Sequence, residues 1–188
     1  MEAGLTWSTW KKRKDIPPTA VCAGKDRDGS PIYVARAKHD GDLLPGKVIA
    51  SSHMAYVPYE GKEICLDNFE VLTGTDFTWV ASSNGLVPTG AFVAGKTASG
   101  KPLYVGRTDY NGSVVPGKIV SSHGCLYISF DGIEHSFKTY QVLDIHGFLR
   151  PSRIRALYQM VYTLAKVKMG HQSTLLEGIT LGTFSRVK

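Results

Sequence analysis

Residues Ala20–Leu72 and Ala91–Leu143 of this 188-residue chain align without a gap at an offset of 71, with 19 of 53 positions identical. Unrelated segments would match at about three such positions, so the chain carries one module twice. A unit of about 70 residues is too small to bury both faces of a sheet by itself. The two copies are therefore expected to pack on one another around a pseudo-two-fold axis, with strands exchanged between them, and any surface site should occur twice.

The clearest blocks are Gly29-Ser-Pro-Ile-Tyr-Val-Ala-Arg36 with Gly100-Lys-Pro-Leu-Tyr-Val-Gly-Arg107, and Leu44-Pro-Gly-Lys-Val48 with Val115-Pro-Gly-Lys-Ile119. Each copy closes on Phe69-Glu-Val-Leu72 or Tyr140-Gln-Val-Leu143. Upstream, Pro17 answers Pro88, and Trp7 answers Trp79 once one residue is inserted in the first copy. Short runs of Val, Ile, Tyr and Phe alternate with Gly, Pro, Asp and Asn clusters, which is the pattern of short antiparallel strands joined by tight turns. Asp28-Gly29, Asp40-Gly41, Asn84-Gly85, Asn111-Gly112 and Asp131-Gly132 are all turn dipeptides. The expected fold is all-β: two pseudo-symmetric antiparallel modules, residues 5–73 and 77–144, packed together.

After Leu143 the pattern changes. Ile154, Leu157, Val161 and Leu164 recur at spacings of three and four behind Pro151-Ser152. That predicts a helix over about 152–169 inside a C-terminal tail of residues 145–188. The net charge of +6 sits there, because residues 1–144 carry 15 Lys/Arg against 15 Asp/Glu and residues 145–188 carry 7 against one. The repeats themselves are thus not expected to bind nucleic acid, while the basic amphipathic helix of the tail suits either an anionic membrane surface or an apolar face of the repeats.

No basic region followed by an apolar stretch opens the chain, and no apolar run approaches the roughly 18 residues of a membrane span. The expectation is a soluble, cytoplasmic protein. Cys22, Cys65 and Cys125 are odd in number, widely spaced and without a Cys-x-x-Cys pair, so buried thiols are expected in place of disulfides or structural zinc.

The ordered blocks Gly-x-Pro-(Ile/Leu)-Tyr-Val-(Ala/Gly)-Arg, Pro-Gly-Lys-(Val/Ile), Ser-His-Gly-Cys-Leu-Tyr-Ile and Tyr-(Gln/Glu)-Val-Leu resemble the tandem DM-nine repeat family of invertebrate and fish proteins, over roughly residues 7–144. The resemblance implies a mannose-type lectin and pattern-recognition molecule of innate immunity. It further implies a protein that is commonly dimeric, cytosolic or released without a signal peptide, and not an enzyme. Residues corresponding to the family's sugar-holding aspartate and lysine are Asp26 and Lys47. The second copy keeps Lys118 but has Thr97 in place of the aspartate, which puts its pocket in doubt. The tail lies outside the resemblance.

A sugar presents neighbouring hydroxyls that both donate and accept, so a site needs a carboxylate beside a cation or amide. Asp26 and Lys47 supply that pair if a hairpin carrying Pro45-Gly46-Lys47 folds over the Gly24-Lys25-Asp26 turn. The bland alternative is an exposed ion pair between two turns, contributing about 0–1 kcal/mol. His39, Asp40, Tyr110 and Asn111, at matching positions in the loop before Pro-Gly-Lys, are second-rank ligand candidates that also read as turn residues. Tyr33, Tyr104, Tyr56 and Tyr127 lie in apolar runs, which favours core packing over sugar stacking. Gly29 and Gly46 are expected to serve turns.

Asp26-Arg-Asp28-Gly29 lacks the later oxygen ligands and closing glutamate of a calcium loop. His123 and Cys125 lack a third group to orient a base, and His53 falls one position out of register with His123. Neither metal, cofactor nor catalysis is therefore expected, and Asn111-Gly112-Ser113 reads as a turn in place of a glycosylation site. The leading expectation is a lectin for mannose-type glycans or microbial surface polysaccharides, acting as a homodimer. The competing one is a scaffold or membrane-surface protein that works through its basic tail.

Overall fold

Each copy folds into the same succession of strands. The first supplies β1 (Thr6–Lys11), β2 (Cys22–Lys25), β3 (Pro31–His39), β4 (Asp42–Ile49), β5 (Met54–Tyr59), β6 (Lys62–Leu66) and β7 (Asn68–Thr73). The second supplies β8 (Thr78–Ser83), β9 (Val93–Lys96), β10 (Pro102–Tyr110), β11 (Ser113–Val120), β12 (Cys125–Phe130), β13 (Ile133–Phe137) and β14 (Thr139–Asp144). The computed structural model describes residues 4–11 and 15–145. The helix expected over 152–169 and the rest of the basic tail lie outside the described residues.

The strands run in the order β1-β7-β3-β4-β5-β6-β13-β12-β11-β10-β14-β8, so the second half is the first half read backwards. That is the signature of the expected pseudo-two-fold axis, here passing between β6 and β13, where Lys62 pairs with Ile133. Two strands leave this path. β2 pairs with β3, and β9 pairs with both β10 and, through Leu43 and Lys96, with β4 of the other copy. The copies thus share strands as well as a core.

Two arginines brace the same junction. Arg36 donates from Nε to Glu70 at 2.7 Å and from Nη1 to the Ala94 carbonyl of the second copy, with its guanidinium 4.1 Å above the Trp7 ring. Arg107 repeats this with Gln141, the Ala23 carbonyl of the first copy and Trp79. Trp7 and Trp79 therefore occupy equivalent places, opposite Leu72 and Leu143 respectively.

Most of the turn dipeptides do what their chemistry suggests. Asp40-Gly41, Asn84-Gly85, Asn111-Gly112 and Asp131-Gly132 each have positive φ at both residues, the backbone that tight hairpins require. Glu60-Gly61, which lacks the Asn or Asp signal, adopts the same conformation as the counterpart of Asp131-Gly132.

Pro45-Gly46-Lys47 is not a turn, contrary to expectation. It lies inside β4, where Gly46 faces Ala35 of β3 and Lys47 faces Tyr56 of β5. A Cβ on Gly46 would collide with the Tyr56 carbonyl and with Val57, and one on Gly117 would collide with the Tyr127 carbonyl. Glycine is needed for close backbone approach, which is its other use in strands.

From Leu44 to Val48 every residue of β4 is buried, because one face lies on the core and the other is covered by the second copy. Leu44, Val48 and Val57 form one apolar cluster, and Val115, Ile119 and Ile128 form its counterpart. Each such side chain stabilises the fold by roughly 1.5–3 kcal/mol. Burial on both faces of β4 and β11 also explains why the lysines they carry are nearly inaccessible, at 4% for Lys47 and 8% for Lys118.

Candidate functional site

Alternation along neighbouring strands puts Lys47, Tyr56 and Glu63 on one sheet face. Lys47 sits opposite Tyr56, and Tyr56 sits opposite Cys65, two residues from Glu63. The same register brings Lys118, Tyr127 and Glu134 together. Lys47 Nζ lies 3.0 Å from Glu63 Oε1, and Lys118 Nζ lies 3.1 Å from Glu134 Oε1.

Each ammonium then reaches across the pseudo-axis. Lys47 donates to the Ser129 carbonyl and Lys118 to the Pro58 carbonyl, both at 2.6 Å. Aromatic rings complete the surroundings: Tyr56 and Phe130 at 5.6 and 5.1 Å from Lys47 Nζ, and Tyr127 and Tyr59 at 5.5 Å from Lys118 Nζ. The ring faces stabilise a cation that burial has stripped of water. The glutamates are held from the other copy in turn. Gly132 N–H donates to Glu63 Oε2 and Gly61 N–H to Glu134 Oε2, so each Lys–Glu pair is complete only when both copies are docked.

Two cavities open over these pairs. The first, about 200 Å³, is lined by Lys47, Glu63, Tyr56, Ile49, Phe130, Asp26, Arg27 and Asp131. The second, about 580 Å³, includes Lys118, Glu134, Tyr127, Tyr59 and Tyr104 with Asp42, Glu60, Thr97, Ser99, Lys101, Ser121, Ser122 and His123.

Asp26 and Lys47 do face one cavity, but they are not an ion pair. The lysine is committed to Glu63, while Asp26 Oδ1 accepts from the Arg27 N–H and from the Ser113 hydroxyl of the second copy, each at 2.8 Å. Both bonds fall on Oδ1, which leaves Oδ2 for a ligand. At the equivalent place Thr97 is turned into its own loop, accepting from Lys101 N–H and bonding Ser99. The cavity beside it is nonetheless the larger of the two.

His39, Asp40, Tyr110 and Asn111 line neither cavity. Asp40 and Asn111 form hairpin tips. His39 stands edge-on to Tyr59 at 4.8 Å, and Tyr110 stands edge-on to Phe130 at 5.2 Å. They buttress the aromatic walls from behind. Tyr56 and Tyr127, expected in the core, line the cavities instead.

Burial pushes the Tyr56 phenol up. The Tyr127 phenol is pushed up to about 12, chiefly by its contact with the Cys125 thiol and then by burial. Both stay protonated donors at neutral pH, Tyr127 within 3.1 Å of His123 Nδ1. Cys125 is buried as expected, but Cys22 and Cys65 are exposed.

The glutamates were missed in the sequence. Their signal was present, since Gly61-x-Glu63 and Gly132-x-Glu134 match at the offset of 71, but a glutamate in a polar hairpin reads as a surface charge.

A family model described as the DM9 repeat matches residues 4–64 and 26–137. Among curated proteins, the chain is similar to Natterin-3 of Thalassophryne nattereri, with 26% identity over 149 residues that cover 77% of this chain and 38% of that protein. Among solved structures it is similar to the nematode sperm cell motility protein MFP2B, with a TM-score of 0.57 at 11% identity over 79% of this chain and 48% of that one. The last likeness is one of fold. The chain spans less than half the length of either relative.

Proposed function

Because the chain belongs to the DM9 repeat family, with its two copies joined around paired Lys–Glu cavities, we propose that it is a non-catalytic glycan-binding protein whose Lys47 cavity holds a mannose-type sugar. The observation that carries this reading is the first cavity's combination of a buried ammonium, an Asp26 carboxylate oxygen and the Tyr56 ring. Vicinal hydroxyls need a donor and an acceptor side by side, and the apolar face of a sugar ring needs an aromatic surface. Lys47 is already fixed by a carboxylate and a carbonyl, an arrangement suited to donating hydrogen bonds without reorganisation. Single sites of this size bind weakly, so paired sites and dimerisation would supply avidity on arrayed microbial glycans.

The test is a glycan array with wild type beside Asp26→Asn. Asparagine keeps an oxygen for Ser113 and Arg27 but loses the charge, so folding should be unchanged by circular dichroism. Losing a charge-assisted hydrogen bond of about 1.5–3 kcal/mol weakens binding tenfold or more. Equal binding of single mannose residues by the two proteins, or no selective signal from folded wild type, overturns the reading.

A second reading rests on the confinement of excess positive charge to residues 145–188: a scaffold that docks on anionic membranes. Co-sedimentation with anionic liposomes of the full chain and of a chain ending at Ile145 separates the two, since equal pelleting removes the tail from consideration.

A further inference from the structure

The two cavities share a floor and differ in what stands over it. At the first, the Arg27 guanidinium lies 4.8 Å above the Phe130 ring and is bonded through Nη2 to both oxygens of Asp131 at 2.9 Å. Arg27 belongs to the β2–β3 turn of the first copy and Asp131 to the β12–β13 turn of the second, so the ion pair spans the mouth. At the offset of 71, Ala98 replaces Arg27, Glu60 corresponds to Asp131 and Tyr59 to Phe130. The alanine cannot reach across: its N–H is held by Asp42 at 2.6 Å, and Glu60 is left at an open rim.

The two cavities differ in size in the same sense. A cavity of about 580 Å³ falls within the roughly 300–1,000 Å³ typical of sites that enclose drug-sized ligands, and one of about 200 Å³ falls below it. The larger has a buried cation and carboxylate at its base, the Tyr59 and Tyr127 rings beside them, and hydroxyls from Ser121 and Ser122 outward.

Resting on the glycan reading above, we propose that the Lys118 cavity is a second glycan site that takes a short, uncharged oligosaccharide, and that Arg27 and Ala98 set the length of glycan each site admits. The latched first site takes a single sugar residue. The second, without a latch, accommodates the adjoining residues along its hydroxyl-lined wall.

The experiment is calorimetric titration of the full chain with mannose and with an α-linked mannotriose. In Asp26→Asn, binding that remains should favour the trisaccharide by at least tenfold. Adding Ala98→Arg, which can bridge to Glu60 over Tyr59 as Arg27 bridges to Asp131, should remove that binding by tenfold or more. Ala98→Arg alone should leave the mannose affinity of the first site intact. The converse variant, Arg27→Ala, should raise trisaccharide affinity at the first site severalfold. Ala98 is exposed, so an unchanged melting temperature establishes that each variant is folded. Unaltered trisaccharide binding by Ala98→Arg, or loss of all binding in Asp26→Asn, overturns this inference and leaves the glycan reading standing. Wild type that binds neither probe removes both.

Discussion

At the base of the first cavity Lys47 meets Glu63 at 3.0 Å, and at the base of the second Lys118 meets Glu134 at 3.1 Å. At the rims, Arg27 and Asp131 stand where Ala98 and Glu60 stand. The bases are alike because they are structural as well as polar: each lysine and each glutamate is bonded to the other copy, and losing either leaves a buried charge uncompensated. The rims differ because the groups there are solvated, so replacing them costs the fold little. A duplicated module can therefore vary its access while keeping its floor.

The largest expected effects fall on the bases. Lys47→Ala and Lys118→Ala should each destabilise the protein by about 3–5 kcal/mol in urea denaturation, because each leaves a glutamate without its cation in a dry setting. Lys118→Met combined with Glu134→Gln should recover much of that loss, since removing both charges together removes the penalty. A cost below about 1 kcal/mol for either single lysine variant would break the claim that the bases are structural.

Smaller effects are expected at the rim. Arg27 and Asp131 are half or more exposed, at 50% and 64%, so Arg27→Ala should change stability by no more than about 1 kcal/mol. A crystal structure of that variant should show the first cavity enlarged toward the size of the second. An unchanged cavity would remove Arg27 as the cause of the difference.

The smallest effect separates the tyrosines. Tyr127 is held up to about 12 and Tyr56 above its ordinary value of 10.0, so Tyr127 should ionise later than Tyr56 when alkaline titration is followed at single residues by NMR. Since the folded state favours the protonated phenol, its contribution to stability is complete below about pH 10 and is lost as pH rises toward 12. The reverse order of ionisation would contradict the burial and thiol contact assigned to Tyr127.

Much of the fold could be read from particular residues. Asn111-Gly112 and Asp40-Gly41 marked hairpins because few other pairs accept positive φ twice in succession, and the repeat predicted the pseudo-two-fold axis. Glu60-Gly61 escaped, because glutamate carries no turn signal, although it adopts the conformation of its counterpart at Asp131. Pro45-Gly46-Lys47 was misread because proline and glycine usually punctuate turns, whereas here the glycine admits the backbone of β5. Asp26 and Lys47 were placed at one cavity, yet as partners of other groups. Thr97 registers the lost carboxylate at the second cavity, whereas the Arg27–Asp131 pair at the first is visible only in the structure.

The sequence by itself determined the duplication, the β class, most hairpins and the equivalence of Lys47 with Lys118, since all of these follow from local chemistry and from matching at a fixed offset. Only the tertiary structure decided which groups the lysines bond and which cavity is open. Lys47 finds the Ser129 carbonyl 82 residues away and Arg27 finds Asp131 104 residues away. Alternation within a strand fixes the face a side chain takes, but not what the other copy brings against it.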